Sequence, residues 1–347
     1  MLETKVTMAT EPFPAHRLVN RFQNQPLINV RTGKPATPVT HVGWEKDDAE
    51  YQNKKWEDLI TLMPTAIDEA NDENADTIQR FLKRAMAVFI FDANRLEGTI
   101  SSLHREGTTV RAILGFLNGT ISAPEAVPWN SEGGREPNSP SSKRQLFQAA
   151  AAALYLLRDN ASSPLTVGLL RETHRIMMEG SFVDDEDNML AAGVLRSQPE
   201  EEVCAGLWQF IAPDEVLNAV TNLVKRYEQL REENHCPVAL ATHLFYYLIT
   251  IHPFMNGNGR LCRMMLAWSL MRDGFPFPVS LSSGRAAARD HYMQAINCAR
   301  GMPRDDVSPF SELNVMTLVS MERVISNFLG NIAIAAGRPY GESSLTS

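Results

Sequence analysis

The sequence predicts an all-α protein, and two observations carry this prediction. Apolar residues recur every three or four positions through most of the chain, which is the period of an amphipathic helix. The sequence has no strand-rich region and no repeat of fixed period. The 347 residues are 44% hydrophobic and 21% charged, a globular rather than a disordered composition. At about 150 residues per domain, the length allows roughly two domains, or one domain with long tails.

The N-terminal half is predicted to contain a leader, a helical region and a long loop. Residues 1–45 are rich in Pro, Thr and Asn without periodicity, which predicts a flexible leader. A helical region is assigned to residues 50–158, because apolar residues follow the helical period over residues 56–92 and a further helix is expected over residues 143–157. Gly, Pro and Ser are too dense for a helix at residues 119–142, which predicts a loop there.

The C-terminal half is predicted to consist of helices and a tail. Pro213, with two acidic residues directly behind it, has the composition of a helix start. The helix that begins at Pro237 is apolar nearly all round, so we expect it to be central. Residues 181–212 are expected to be irregular or to form short strands. The predicted helices cover residues 164–180, 213–230, 237–250, 260–272 and 308–335, and the tail covers residues 336–347.

Charge and cysteine content exclude several classes of protein. Acidic residues outnumber basic ones by 41 to 33, which gives a net charge of −8. The chain as a whole therefore lacks the excess of basic residues that is typical of a nucleic-acid binder. The four cysteines form no CxxC pair, which disfavours zinc and disulfide frameworks. The N-terminus has no apolar core typical of a signal peptide, and no apolar stretch reaches the ~20 residues that span a bilayer. We therefore expect a cytoplasmic protein without nucleic-acid or membrane partners.

One segment, from His252 to Arg263 (HPFMNGNGRLCR), carries a recognisable chemistry. Its two glycines can direct successive backbone N–H groups into one concavity, which makes an anion nest at a helix N-terminus. Arg260 and Arg263 fall in the first turn of that helix, where each cation opposes the helix dipole by ~0.3–1 kcal/mol. A bound anion would explain both arginines, and His252 could take a proton from an incoming hydroxyl. His252 as a loop cap and the arginines as partners of acidic residues remain alternatives.

This segment resembles the signature of the Fic family, HxFx(D/E)GNGRxxR, whose members mostly transfer the AMP of ATP to a hydroxyl side chain of a target protein. The apolar helix before the loop, together with His174, Gly193 and Arg196, resembles the pattern upstream of that signature. The resemblance covers residues 160–300, which we assign to a Fic catalytic core. It implies a Fic-type helical bundle with a short β-hairpin flap that docks the target, near the acidic residues 200–202.

The resemblance also implies roles for individual residues. His252 would be the general base, and Phe254 would anchor the loop in the core. Asn258 and the neighbouring glycine amides would cradle the α- and β-phosphates of ATP, Arg260 would hold phosphate oxygens, and Arg263 would reach the γ-phosphate. A Mg²⁺ or Mn²⁺ ion would accompany ATP. The implied nucleotide-binding residues are Asn256, Gly257, Asn258, Gly259, Arg260, Arg263 and Tyr292, the last near the adenine. A core tyrosine on an amphipathic helix is the alternative for Tyr292.

The sequence departs from the family pattern where the metal would sit. Asn256 stands in place of the acidic residue that binds Mg²⁺ in the family, and an amide offers a neutral carbonyl where Mg²⁺ favours charged oxygen ligands. Three consequences stay open: ATP and water hold most of the metal, transfer is weak, or another phosphate-containing donor is used.

A second resemblance lies upstream of the catalytic core. Many Fic proteins carry an inhibitory helix with the pattern (S/T)xxxE(G/N), whose glutamate pairs with the second arginine of the signature. Asn94 to Gly98 (NRLEG) is similar, although Ala93 stands where the pattern has a hydroxyl residue. The resemblance implies that Glu97 pairs with Arg263. A solvated glutamate at a helix end is the alternative.

These resemblances predict a protein adenylyltransferase that moves AMP from ATP to a Ser, Thr or Tyr hydroxyl of a target protein and is inhibited by Glu97. One alternative is a weakly active or inactive nucleotide-binding scaffold, because of Asn256. Another is a deAMPylase in which Glu97 positions water. A homodimer is an assembly that the family resemblance allows.

Overall fold

The computed structural model describes residues 46–97, 106–121, 140–181, 190–205, 208–233, 236–281, 293–297 and 311–338. The predicted leader, most of the predicted loop at residues 119–142, Gly98 and Tyr292 lie outside these ranges. Within them, helices dominate, so the predominantly helical fold predicted from the sequence is confirmed. None of the described helices combines the length and the apolar character that crossing a bilayer requires.

Nine helices of the described chain organise the fold, and residues 293–297 are also helical. A 3₁₀ turn at Asp72–Asn74 separates the first two, a π-helical turn at Leu154–Asp159 extends the fourth, and a second 3₁₀ turn covers Pro199–Glu201. The helices are α1 (Lys46–Glu69), α2 (Ala75–Leu96), α3 (Glu106–Leu117), α4 (Pro140–Ala153), α5 (Val167–Met178), α6 (Pro213–Glu232), α7 (Pro237–Ile251), α8 (Asn258–Arg272) and α9 (Ser311–Ala335).

Two short strands lie between α5 and α6. Strand β1 (Cys204–Ala205) pairs antiparallel with β2 (Trp208–Gln209), with Cys204 opposite Gln209. The pairing continues outward, because the Phe210 N–H donates to the Val203 carbonyl at 3.2 Å. The chain therefore reverses direction here and returns to the N-terminus of α6.

The structure differs from the helical periodicity of the sequence at two places. The period over residues 56–92 is interrupted by the 3₁₀ turn before α2, which the Asn71 side chain caps by accepting from the Asn74 N–H at 3.2 Å. Helix α3 was not predicted, although its buried Val110, Ile113 and Phe116 repeat every three residues. A helix of twelve residues beside a Pro/Gly/Ser-rich loop is too short for its apolar periodicity to be recognised in the sequence.

Helix α8 lies at the centre of the fold. Every residue from Arg260 to Met271 is buried, including Trp268, whose indole N–H donates to the Asn160 carbonyl at 2.9 Å. Helix α2 is held against the same core by Phe81, whose ring meets the rings of Phe277 and Phe328 at centroid distances of 4.8 and 5.5 Å. Because α8 is enclosed on all sides, both arginines lie in the protein interior. Only Arg260 is in the first turn, as predicted; Arg263 is in the second, because α8 already begins at Asn258.

Candidate functional site

The loop between α7 and α8 is a tight turn with fixed ends. His252 ends α7 in the left-handed conformation (φ 52°, ψ 61°), and Gly257 (φ 76°) leads into α8. A histidine in this region is uncommon, so the surrounding contacts must hold it there. Asn258 does part of this: its side chain accepts from the Phe254 N–H at 3.0 Å and donates to the Phe254 carbonyl at 2.7 Å. The Asn258 side chain therefore shapes the loop.

His174 on α5 packs against the loop. Its ring stacks on the fully buried ring of Phe254 at a centroid distance of 3.8 Å and an interplanar angle of 5°. Nδ1 accepts from the Gly193 N–H at 2.9 Å, so the proton of the neutral ring is on Nε2, which donates to the Asn256 carbonyl at 2.9 Å. His174 is thus a satisfied core histidine that also fixes the loop.

We expect protonation of His174 to weaken the fold in mild acid. Burial lowers the pKa of His174 to about 4 from its ordinary 6.5, so the unfolded chain binds a proton that the folded chain excludes. Its stabilising contribution is complete above the unfolded pKa and falls as the pH drops, by about 2 kcal/mol between about pH 7 and pH 5. Urea unfolding of wild type and His174→Gln at both pH values measures this. An equal acid-induced loss in both proteins would contradict it.

Arg196 fixes the end of α7. Its buried guanidinium donates to four backbone carbonyls: from Nε to His252 at 2.8 Å, from Nη1 to Glu201 at 3.0 Å, and from Nη2 to Ile211 at 3.2 Å and Ile251 at 3.3 Å. The last carbonyls of a helix have no intrahelical donor, and a buried one needs a partner. Arg196 therefore joins the end of α7 to the segment that contains the two strands.

The His252 ring is held by that same segment. It stacks on the ring of Phe210, which follows β2, at a centroid distance of 3.9 Å and an angle of 19°. Nδ1 lies 3.4 Å from the Ile249 carbonyl, an acceptor, which favours the tautomer with the proton on Nδ1. In that tautomer Nε2 carries a lone pair, the form that a general base requires.

Arg263 binds the C-terminal end of α2. Its Nη2 forms an ion pair with Glu97 Oε1 and donates to the Ala93 carbonyl at 2.9 Å. Glu97 is the C-terminal cap residue of α2 and directly follows Leu96. Its carboxylate lies so close to Gly259 that a side chain at that glycine would overlap it. The acidic group thus occupies the space beside the first turn of α8.

Arg260 has a different environment. It is 3% exposed, and its Nη1 donates to Gln145 Oε1 at 3.2 Å while its Nη2 lies 3.0 Å from Met178 Sδ. Its Nε has no hydrogen-bond partner among the described residues. Burial lowers the pKa of Arg260, and Glu97 opposes that effect through its charge without a direct bond. The site therefore contains two buried cations and one carboxylate, which is an excess of positive charge.

Asn256 is a poor candidate for holding a metal. Its Oδ1 accepts from the Gly257 N–H at 2.7 Å, and its carbonyl oxygen accepts from His174. The described residues contain no group of three or more His, Cys, Asp or Glu side chains that could hold a metal ion. Mg²⁺ is usually bound through one or two carboxylates in addition to phosphate oxygens. The described residues therefore do not fit a protein-held Mg²⁺ or Mn²⁺ ion.

The structure brings together candidates that are far apart in the sequence. The loop residues and both arginines form one site, and Glu97 reaches it from α2. Tyr292 lies outside the described residues, so its place near an adenine stays a prediction. Sequence reasoning missed Gln145 and Phe210. Neither stands in a recognisable motif.

Comparisons with known proteins identify related chains. Residues 164–270 match the Fic/DOC family. A Fido domain-containing protein of Dictyostelium discoideum is 32% identical over 158 residues, which are 45% of this chain and all of that protein. A Caenorhabditis briggsae protein named protein adenylyltransferase fic-1 is 25% identical over 258 residues, which are 73% of this chain. The aligned part is 43% of that worm protein, less than half its length.

Solved structures share the fold. A Fic domain-containing signalling protein from Bacteroides thetaiotaomicron superposes with a TM-score of 0.58 at 20% identity, over 84% of this chain and 98% of that one. Fic-1 from Caenorhabditis elegans gives a TM-score of 0.57 at 19% identity, over 81% and 74% of the two chains. At such identities the likeness concerns the fold alone. The family match contains the whole loop and a relative aligns along its entire length, and by these two findings the chain belongs to the Fic/DOC family.

Proposed function

We propose that this protein is an adenylyltransferase that moves AMP from ATP to a Ser, Thr or Tyr hydroxyl of a target protein. The observation that carries the proposal is Arg260, a buried guanidinium in the first turn of α8 with no acidic hydrogen-bond partner among the described residues. A buried charge without a counterion is costly, so a bound anion is the natural partner. The Caenorhabditis and Drosophila relatives named protein adenylyltransferases support AMP transfer as the reaction.

The phosphate groups of ATP would bind at the N-terminus of α8. The first backbone N–H groups of an α-helix have no carbonyl partner within the helix, and here they belong to Asn258, Gly259 and Arg260. Because the Asn258 side chain is used by Phe254, Asn258 would contact phosphate through its backbone N–H. The two arginines would then add charge-assisted bonds to phosphate oxygens.

His252 would act as the general base. In the proposed reaction, Nε2 takes the proton of the target hydroxyl as its oxygen attacks the α-phosphorus. A new bond forms between that oxygen and the α-phosphorus, and the bond to the bridging oxygen breaks, so pyrophosphate leaves with the electron pair. The α8 N-terminus and the arginines stabilise the charge on the phosphates, and no step depends on a metal held by the protein.

The paired strands would form the flap that docks the target. They lead directly to Phe210, whose ring contacts His252, so a peptide added along this segment would present its hydroxyl near the base. Strand addition supplies backbone hydrogen bonds without demanding a particular side-chain sequence. Such docking is consistent with a protein as the acceptor of AMP.

Glu97 would restrain the enzyme. Its carboxylate pairs with Arg263 and lies against Gly259, in the space that the terminal phosphate of ATP would need beside the start of α8. A negative charge there repels phosphate and also neutralises the cation that would bind it. Twelve of the 22 residues of α2 are buried, so the helix would hold Glu97 in this place.

The proposal is tested by following the phosphates of ATP. Wild type and Glu97→Gly are incubated separately with ATP labelled at the α-phosphate and at the γ-phosphate. We expect the α-label to become bound to protein, in the enzyme itself or in added polypeptides, and the γ-label to be released as pyrophosphate. Protein-bound γ-label would indicate phosphate transfer instead. No label in either protein would reject the adenylyltransferase.

A weakly active or inactive nucleotide-binding protein is the second candidate, and Asn256 favours it because both of its oxygens accept hydrogen bonds within the protein. Asn256→Asp in the same assay separates the two functions. If Asn256 limits transfer, the aspartate variant labels protein while wild type binds ATP without transfer. Equal labelling by wild type and Asn256→Asp would eliminate this candidate.

A further inference from the structure

We propose that Gln145 on α4 is a positioning residue, which orients the Arg260 guanidinium for a nucleotide phosphate without neutralising its charge. This inference rests on the proposed nucleotide site at α8. Gln145 is buried, and its Oε1 accepts from Arg260 Nη1 at 3.2 Å. It precedes residues 164–270, which match the family, so the family signature gives no indication of it.

The two arginines of the site have different hydrogen-bond partners. Arg263 pairs with the carboxylate of Glu97, whereas Arg260 contacts, within the described part of the chain, an amide oxygen of Gln145 and a thioether sulfur of Met178. Amide oxygens accept a hydrogen bond yet leave the net charge at +1, and a thioether is a weak acceptor. The fold therefore fixes the direction of the Arg260 side chain and keeps its positive charge available.

Helix α4 is itself anchored beside Arg260. Gln148 Nε2 donates to the Glu179 carbonyl at 2.5 Å, and Arg144 Nη2 donates to the same oxygen at 3.2 Å. Glu179 directly follows Met178, the other neighbour of Arg260. Both groups that contact the guanidinium thus come from one junction, where α4 meets the C-terminal end of α5. Residue 145 is therefore buried on a helix that is anchored on both sides of it in the sequence.

A near-isosteric substitution at residue 145 is expected to lower the affinity for nucleotide without lowering the stability of the fold. Gln145→Glu keeps the size of the side chain and supplies a carboxylate that pairs with the buried Arg260. Pairing relieves a buried charge, so the urea midpoint of unfolding should stay equal or rise. The same pairing competes with phosphate, so affinity for nucleotide should fall by about 10- to 100-fold.

The experiment measures the dissociation constant of ADP by calorimetry and the urea midpoint, for wild type and three variants. ADP is chosen because it lacks the γ-phosphate that Glu97 would oppose. Gln145→Leu removes the acceptor but leaves the charge of Arg260, so its affinity should fall less than that of Gln145→Glu while its midpoint falls. Asn218→Asp adds the same charge on the exposed face of α6 and should change neither quantity.

Each outcome supports or overturns the proposed role of Gln145. Weaker ADP binding by Gln145→Glu without a lower midpoint supports the inference. ADP binding equal to wild type overturns it, and so does a parallel loss of binding and midpoint, which is what a purely structural glutamine would give. If wild type itself does not bind ADP, the proposed nucleotide site fails and the inference fails with it. The wild-type measurement therefore distinguishes a failure of the proposed nucleotide site from a failure of the role proposed for Gln145.

Discussion

His252→Ala should lower the rate of AMP transfer by about 10²–10⁴-fold, the usual contribution of a general base. The ring is the group that would take the hydroxyl proton, and stacking on Phe210 keeps it in one orientation. Nucleotide affinity should change little, because in the proposed function the phosphate contacts would come from the start of α8. Initial rates with α-labelled ATP, measured in a Glu97→Gly background, together with ADP affinity, give both quantities.

Two controls separate the chemistry of His252 from its unusual backbone. His252→Asn removes the imidazole but keeps a residue that tolerates the left-handed conformation, so it should be as slow as His252→Ala and better folded. His243→Ala removes a half-buried histidine of α7 that lies outside the loop, and it should keep the parent rate. A His252→Ala rate within tenfold of the parent would rule out a general base at this position.

Replacing Glu97 should raise the rate of AMP transfer by about 10- to 100-fold. A charge-assisted bond contributes about 1.5–3 kcal/mol, and breaking the pair with Glu97 makes Arg263 available to phosphate. Glu97→Gly also empties the space beside Gly259. The gain is limited, since Arg263 still donates to the Ala93 carbonyl, which no side-chain substitution removes.

The matched comparison uses Glu97→Gln and Glu73→Gln, which remove one negative charge from the two ends of α2. Only the first should raise the rate, because Glu73 is exposed in the 3₁₀ turn before the helix. An unchanged rate for Glu97→Gln and Glu97→Gly would show that Glu97 does not inhibit. A lower rate would favour a role for Glu97 in positioning water, as in removal of AMP from a modified target.

Several parts of the fold could be predicted because their signals are local. Helix α7 is apolar all round and opens at a proline, so both its start and its central place follow from its own residues. Helix α3 shows the opposite case, because twelve residues with three buried apolar positions give too short a periodic pattern to be recognised. The break at Asp72–Asn74 is an intermediate case. Asn71 is a common capping residue, but its role is recognised only when the position of the turn is known.

By itself, the sequence determined the helical class and the loop from His252 to Arg263, because the spacing of glycines, asparagine and arginines within twelve residues sets the local backbone. Only the tertiary structure decided which groups surround that loop. Glu97, Gln145 and the Phe210 ring come from segments up to 166 residues away. Their approach depends on how α2, α4 and the strand pair meet α8, and such packing is a sum of many weak apolar contacts that no short motif encodes. The charge environment of the two arginines, one paired with a carboxylate and one with an amide, is therefore a property of the folded chain.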